Sequence, residues 1–190
     1  MTGTVGGHAG KTWTDERLLS FLEATLAPSS FIDIGCATGG MVSIAKQHGM
    51  EAHGIDGDPL LDFGELAPCI AVHDYYEGPL VPVAVHDIGW CVEFLEHIEE
   101  RFLPNVFATL RKCRHVICTA STMHLRFHVN VKPCAYWIEQ FIRNGFRFRP
   151  DITADCKANT GMAPNRHIAP LNFIQATGMF FENAELLEST

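Results

Sequence analysis

Between Phe31 and Gly145 the chain alternates short apolar runs with segments of helical periodicity, and this alternation limits the fold more than any other feature. FIDIG (31–35) reads as a buried strand that breaks into glycines, GGMVSIAKQHG as a helix closed by Gly49, and EAHGID (51–56) as a second strand. CIAVHD (69–74), AVHDIGWCVE (84–93) and HVICTAS (115–121) supply three more strands. Helices are expected over TDERLLSFLEATLA (14–27), from Pro104 through PNVFATLRKC, and over PCAYWIEQFIRNG (133–145). FRFRPD and GMFFEN read as two final strands, joined by a loop rich in Ala, Asn and Gly and a short helix from Pro170. Strand and helix in alternation predict a parallel sheet covered by helices on both faces. In such sheets ligands bind beyond the carboxyl ends of the strands, near the point where strand order reverses.

The expected unit is one domain of 190 residues, with 1–28 an amino-terminal helix and lid segment and 29–190 the catalytic core. No apolar run nears the ~20 residues that span a bilayer, and the first twenty residues lack the basic and apolar regions of a signal peptide. A cytoplasmic location and no membrane partner are expected. The seven cysteines form no C-x-x-C pair, which argues for buried free thiols over a disulfide framework or a cysteine zinc site. A formal charge of −8, from 22 acidic and 14 basic residues, disfavours nucleic acid as a partner. Oligomeric state leaves no mark in the sequence.

Chemistry concentrates at the predicted strand ends. In FIDIGCATGG, Asp33, Gly35 and Gly39 follow a D-x-G-x-x-x-G pattern. The glycines let backbone approach a ligand, while the acid suits a cationic group such as an ammonium or sulfonium. This spacing is not the G-x-G-x-x-G of dinucleotide enzymes, which disfavours a nicotinamide-dependent dehydrogenase. Asp56, in HGIDGDP, follows Asp33 by 23 residues, the distance of one helix and one strand, and can accept both hydroxyls of a ribose. Asp58, just before Pro59, reads as a turn residue. Asp74, in VHDYYEG, closes a third strand with an acid. GGHAGKTW lacks the glycine that a phosphate-binding loop needs, since that position is Val5; Lys11 and Trp13 instead suit a lid over a cofactor.

EFLEHIEE (93–100), read as a helix, puts Glu93, Glu96 and His97 on one face at i, i+3 and i+4. Two carboxylates and an imidazole can hold a divalent metal such as Mg2+ or Mn2+, or can simply shape a site. A fourth donor would come from MHLRFHVNVKP after the fifth strand, where His128 is preferred over His124. Glu99 and Glu100 read as solvated. In CAYWIEQF, Trp137, Ile138, Phe141 and Ile142 recur at helical spacing and read as core, with Tyr136 free to face a substrate.

FIDIGCATGG, GIDGD, HDYYEG and DIGWCVEFLEHIEE together resemble the class I S-adenosylmethionine-dependent methyltransferases, over roughly residues 10 to 150. The resemblance implies a Rossmann-like doubly wound α/β fold whose seven-stranded sheet is mostly parallel with an antiparallel last strand. It implies S-adenosylmethionine as cofactor. Asp33, Gly35, Cys36 and Gly39 would lie by its methionine part, Asp56 and Gly57 by its ribose, and Asp74 and Tyr75 by its adenine. Where the family carries a central glycine this chain has Ala37. The E-x-x-E-H element matches Glu93, Glu96 and His97; similar residues ligate a divalent metal in ubiquinone-biosynthesis and small-RNA 2′-O-methyltransferases. Glu93, Glu96, His97 and His128 are therefore the expected catalytic and metal-holding residues. GKTWTDERLL and HVNVKPCAYWIEQFIRNGF resemble small methyltransferases from phage and bacterial sugar-modification settings. O-methylation of a small molecule or glycan is the expected reaction. A nucleic-acid or protein methyltransferase, and a binding module without turnover, are the alternatives.

Overall fold

The computed structural model describes residues 12–188. The predicted alternation folds as α1 (Glu16–Leu26), β1 (Ser30–Ile34), α2 (Gly40–Gln47), β2 (Glu51–Asp56), β3 (Ile70–Val72) and β4 (His86–Cys91). It continues as α3 (Leu103–Leu110), β5 (Cys113–Cys118), α4 (Cys134–Arg143), β6 (Phe146–Phe148), α5 (Pro150–Asn159), α6 (Phe173–Thr177), β7 (Met179–Asn183) and α7 (Ala184–Glu188). The seven strands form one sheet in the order β3-β2-β1-β4-β5-β7-β6. β1 to β5 run parallel, and β7 is antiparallel to both β5 and β6, as expected. This is a Rossmann-like doubly wound α/β fold.

The sheet is buried on both faces, so its strands are apolar runs that do not alternate with polar residues. On one face Leu18, Leu19 and Leu22 of α1, Met41, Val42 and Ala45 of α2, Cys156 of α5 and Ile174 of α6 pack over Phe31, Ile88 and Trp90. On the other, Val106, Phe107 and Leu110 of α3 and Trp137 and Phe141 of α4 cover Ile32, Ile34, Val116 and Phe181. Trp137 and Phe141 are core, as their spacing predicts; Ile142 is instead 54% exposed. All seven cysteines are free thiols. Among the described residues no helix is long and apolar enough to cross a membrane.

Two elements depart from the sequence reading. α5 lies where a loop was expected, because PDITADCKAN carries too few apolar residues to mark a helical face. Its buried side is only Thr153 and Cys156. The segment beyond it is anchored from the far end of the chain. The Asp15 side chain caps α1 by accepting from the Leu18 N–H (2.9 Å) and also accepts from the Gly161 N–H (2.8 Å) and the Thr160 hydroxyl. The second departure concerns residues 93–100, which form no α-helix. Two short 3-10 turns occupy Leu95–His97 and Glu100–Phe102, and Glu93 itself stands in the left-handed region at φ 54°. The face argument for Glu93, Glu96 and His97 therefore fails as geometry.

Candidate active site

β1 and β4 are neighbours at the point where strand order reverses, and a cavity of about 460 Å3 opens beyond their carboxyl ends. That volume lies in the range of small-ligand sites. Asp33, Gly35 and Ala37 line it from the β1 loop, Trp90, Val92 and Glu93 from β4, and Met123, Phe127 and His128 from the segment after β5. Trp13 closes part of its mouth, its ring edge-on to Phe173 at 4.9 Å. That position suits the lid expected of Trp13; Lys11 lies outside the described residues.

The β1 loop is shaped by backbone that only small residues adopt readily. Gly35 has φ 80°, and a Cβ there would collide with the Phe94 ring. Gly39 has φ 84° and caps α2, while Ala37 takes φ 47°, a left-handed conformation that costs a residue with a side chain about 1–2 kcal/mol. Asp33 is buried, and its carboxyl is held well above the usual range, first by burial and then by the charge of Asp56. Such a group gains from a cation placed before it.

The other expected cofactor residues are not cavity wall. One oxygen of Asp56 accepts from the Ala37 N–H (2.8 Å) and the other from the Asp58 N–H (2.9 Å), so this acid buttresses the glycine loop from behind. Cys36 is buried and its thiol packs toward Gly54. Gly57 sits close to the His73 backbone. Asp74 accepts from the Tyr76 N–H (2.9 Å) in a local turn. Tyr75 is core: it is 3% exposed, and its hydroxyl lies 2.8 Å from that of Thr109, which itself donates to the Leu80 carbonyl. The exposed ring at this strand end is Tyr76.

Glu93, Glu96, His97 and His128 do converge, by a route other than a helix. Glu93 is pinned by Thr119: its own N–H donates to the Thr119 hydroxyl (2.7 Å), which donates to its carboxylate (2.9 Å). One Glu96 oxygen and one ring nitrogen each of His97 and His128 lie within 4.8 Å of one another. The two imidazoles meet edge to face, with centroids 4.9 Å apart. His97 Nδ1 stands 3.0 Å from the Phe127 carbonyl, and His128 Nδ1 stands 2.8 Å from the Met123 carbonyl. A carbonyl can only accept, so both Nδ1 atoms carry a proton, and in the neutral ring Nε2 carries the lone pair. Metal-binding histidines are oriented in this way.

Glu96 is 0% exposed, and neither carboxylate oxygen has a hydrogen-bond partner. The Ser121 and Glu96 amides and the Glu93 carboxyl lie near enough to bias its ionisation without reaching bonding geometry. Burial raises the affinity of both acids for a proton, and the Glu96 charge raises that of Glu93 further. The main chain ties the cluster together, because the Glu96 carbonyl accepts from both the Val129 and Asn130 N–H groups (2.9 and 3.0 Å). His128 is held below its ordinary pKa, chiefly by burial, and so stays neutral.

The sequence gave no sign of Thr119 as the residue holding Glu93, nor of Asn165, Arg166 and His167, which line the cavity from the aperiodic loop before α6. His124 is exposed and lines a separate cavity beside His128.

No protein-family model and no curated protein matches the sequence. Solved structures do resemble the fold. The O-methyltransferase from a trans-AT polyketide synthase of Brevibacillus brevis, in complex with S-adenosyl-L-homocysteine, aligns with a TM-score of 0.60 at 13% identity over 90% of this chain and 71% of its own. The plantazolicin methyltransferase BamL aligns at 0.59 and 12% identity, over 89% of this chain and 83% of its own. A methyltransferase domain of bacterial CtHen1 aligns at 0.56 and 16% identity, over 88% of this chain and 97% of its own. At these identities the likeness establishes the fold alone.

Proposed function

We propose that this protein transfers a methyl group from S-adenosylmethionine to an oxygen of a small molecule or sugar, assisted by a divalent cation. The observation that carries the reading is the buried Glu96 carboxylate without a hydrogen-bond partner, with one ring nitrogen each of two oriented imidazoles nearby at the edge of the switch-point cavity. A fully buried carboxylate with no donor is costly, and a cation is the natural remedy. The donor set fits one: Glu96 and the two imidazoles, with Glu93 beside them in the cavity wall, suit Mn2+ or Mg2+, the imidazoles favouring Mn2+. Glu93, Glu96, His97 and His128 would hold it. Such a cation polarises an acceptor hydroxyl and lowers its pKa.

The cofactor, when bound, supplies an electrophilic methyl on a sulfonium. The chain's own residues do the rest. Gly35 and Gly39 admit the ligand close to the backbone, and the Asp33 carboxylate favours a positive group beside it. Asp56 holds the loop in shape through Ala37 and Asp58. Trp13 and Phe173 exclude water from the mouth. Without the cation, His128 Nε2 is the atom suited to take the acceptor's proton, since the ring is neutral and its Nδ1 is already committed to Met123; with the cation held, that lone pair would serve as a ligand instead. Titrating S-adenosylmethionine calorimetrically, with Mn2+ and with a chelator, tests the reading. Micromolar binding together with a Mn2+ heat lost in Glu96→Ala is expected, and absence of binding in both conditions refutes it.

A further inference from the structure

A second cavity, of about 470 Å3, is lined by residues 99–101, His124 and residues 128–132. His128 lines both cavities, so the residue that stands beside Glu96 and His97 is shared by the two. From this geometry we infer that the second cavity is the acceptor subsite, and that its ligand is a neutral, polyhydroxylated molecule, a glycan or polyol. The inference rests on the methyl-transfer reading for its role and on the groove's own chemistry for its ligand.

The charges of the groove are internally matched. Arg101 pairs with Glu99 at 3.1 Å and Lys132 with Glu100 at 3.4 Å. An anionic ligand such as a phosphodiester would confront both carboxylates, and a cationic one would confront both basic groups. A ligand whose every hydroxyl can donate and accept meets both without desolvating a net charge. Asn130, 3% exposed and lining the groove, has an Nδ2 without a partner. Buried amide donors normally have a partner, which here a ligand hydroxyl or a bridging water would supply.

Val129, 56% exposed, and Val131 give this groove an apolar side, while Leu125 and Phe127 line the first cavity. Sugars present apolar C–H faces beside their hydroxyls, which suits apolar residues set among polar ones.

Saturation-transfer NMR decides the question. Neutral methyl glycosides and disaccharides are compared with the same sugars as phosphates, without cofactor, at millimolar concentration. Neutral sugars should take up saturation, and in Lys132→Met, which removes one exposed donor, their affinity should fall about fivefold. S-adenosylhomocysteine affinity, measured separately, should be unchanged in that variant. Preference for the phosphates, or no saturation of any neutral sugar, overturns the acceptor assignment while leaving methyl transfer standing. Sugar binding with no S-adenosylhomocysteine binding overturns the methyl-transfer reading instead.

Discussion

Replacing Glu96 by Gln should make the metal-free protein more stable, although the side chain is fully buried beside the reactive centre. In the folded state burial lifts the Glu96 carboxyl from an ordinary 4.5 to about 7. A carboxyl whose folded pKa exceeds its unfolded one binds more protons folded than unfolded. Stability is therefore greatest below the unfolded value, falls as pH rises between the two, and is flat above the folded value. One pKa unit corresponds to about 1.4 kcal/mol, so the ionised group costs on the order of 2–3 kcal/mol once its coupled titration with Glu93 is allowed for. Gln carries no such cost, and its amide can donate to Glu93. The variant and wild-type curves should coincide near pH 4.5, separate as pH rises, and run parallel above pH 7, with the variant melting roughly 4–12 °C higher. Thermal melts in chelator across that range measure the gap. Excess Mn2+ should raise the wild-type curve and leave the variant nearly unmoved, because binding the folded state alone stabilises it. A Gln variant less stable than wild type at every pH would mean that Glu96 has donors the geometry lacks, and the argument for a cation would fall with it.

Gly35→Ala should lower stability by about 1–3 kcal/mol and weaken cofactor binding, because its Cβ strikes Phe94 at a backbone φ of 80°; melting and a S-adenosylhomocysteine titration read the two effects. Asp15→Ala removes the α1 cap together with the Thr160 and Gly161 bonds, and urea unfolding should show a loss of roughly 2–4 kcal/mol. His128→Gln should reduce Mn2+ affinity about tenfold or more, followed by the ion's paramagnetic signal, with little change in S-adenosylhomocysteine affinity.

The alternation of strands and helices was legible because each buried strand is an apolar run and each helix of the central region has a clear stop, such as Gly49 or Gly145. α5 was not, since its contacts to the core are one threonine and one cysteine, and the bonds that hold its end arrive from Asp15, far away in sequence. At the site, the convergence of Glu93, Glu96, His97 and His128 was legible as residue types and spacing. The helix proposed to bring them together was not what forms. A left-handed Glu93 and a 3-10 turn do that, held by Thr119 and by the loop at Val129 and Asn130, neither of which any local pattern announces. The strand-end aspartates looked alike in sequence, yet only Asp33 reaches the cavity. Asp56 is drawn back by the two amides that it serves.

The two hydrogen bonds that the Glu96 carbonyl accepts from the Val129 and Asn130 N–H groups are made entirely by main chain. Side chains on that loop can be exchanged without touching what keeps His128 opposite Glu96. A lineage carrying this fold is thus able to explore new acceptors by point substitution at Leu125, Phe127 or Val129, residues partly exposed in the walls of the two cavities, while the groups beneath stay in register. Selection for a new substrate and selection for an intact reactive centre act on separate atoms of one short segment.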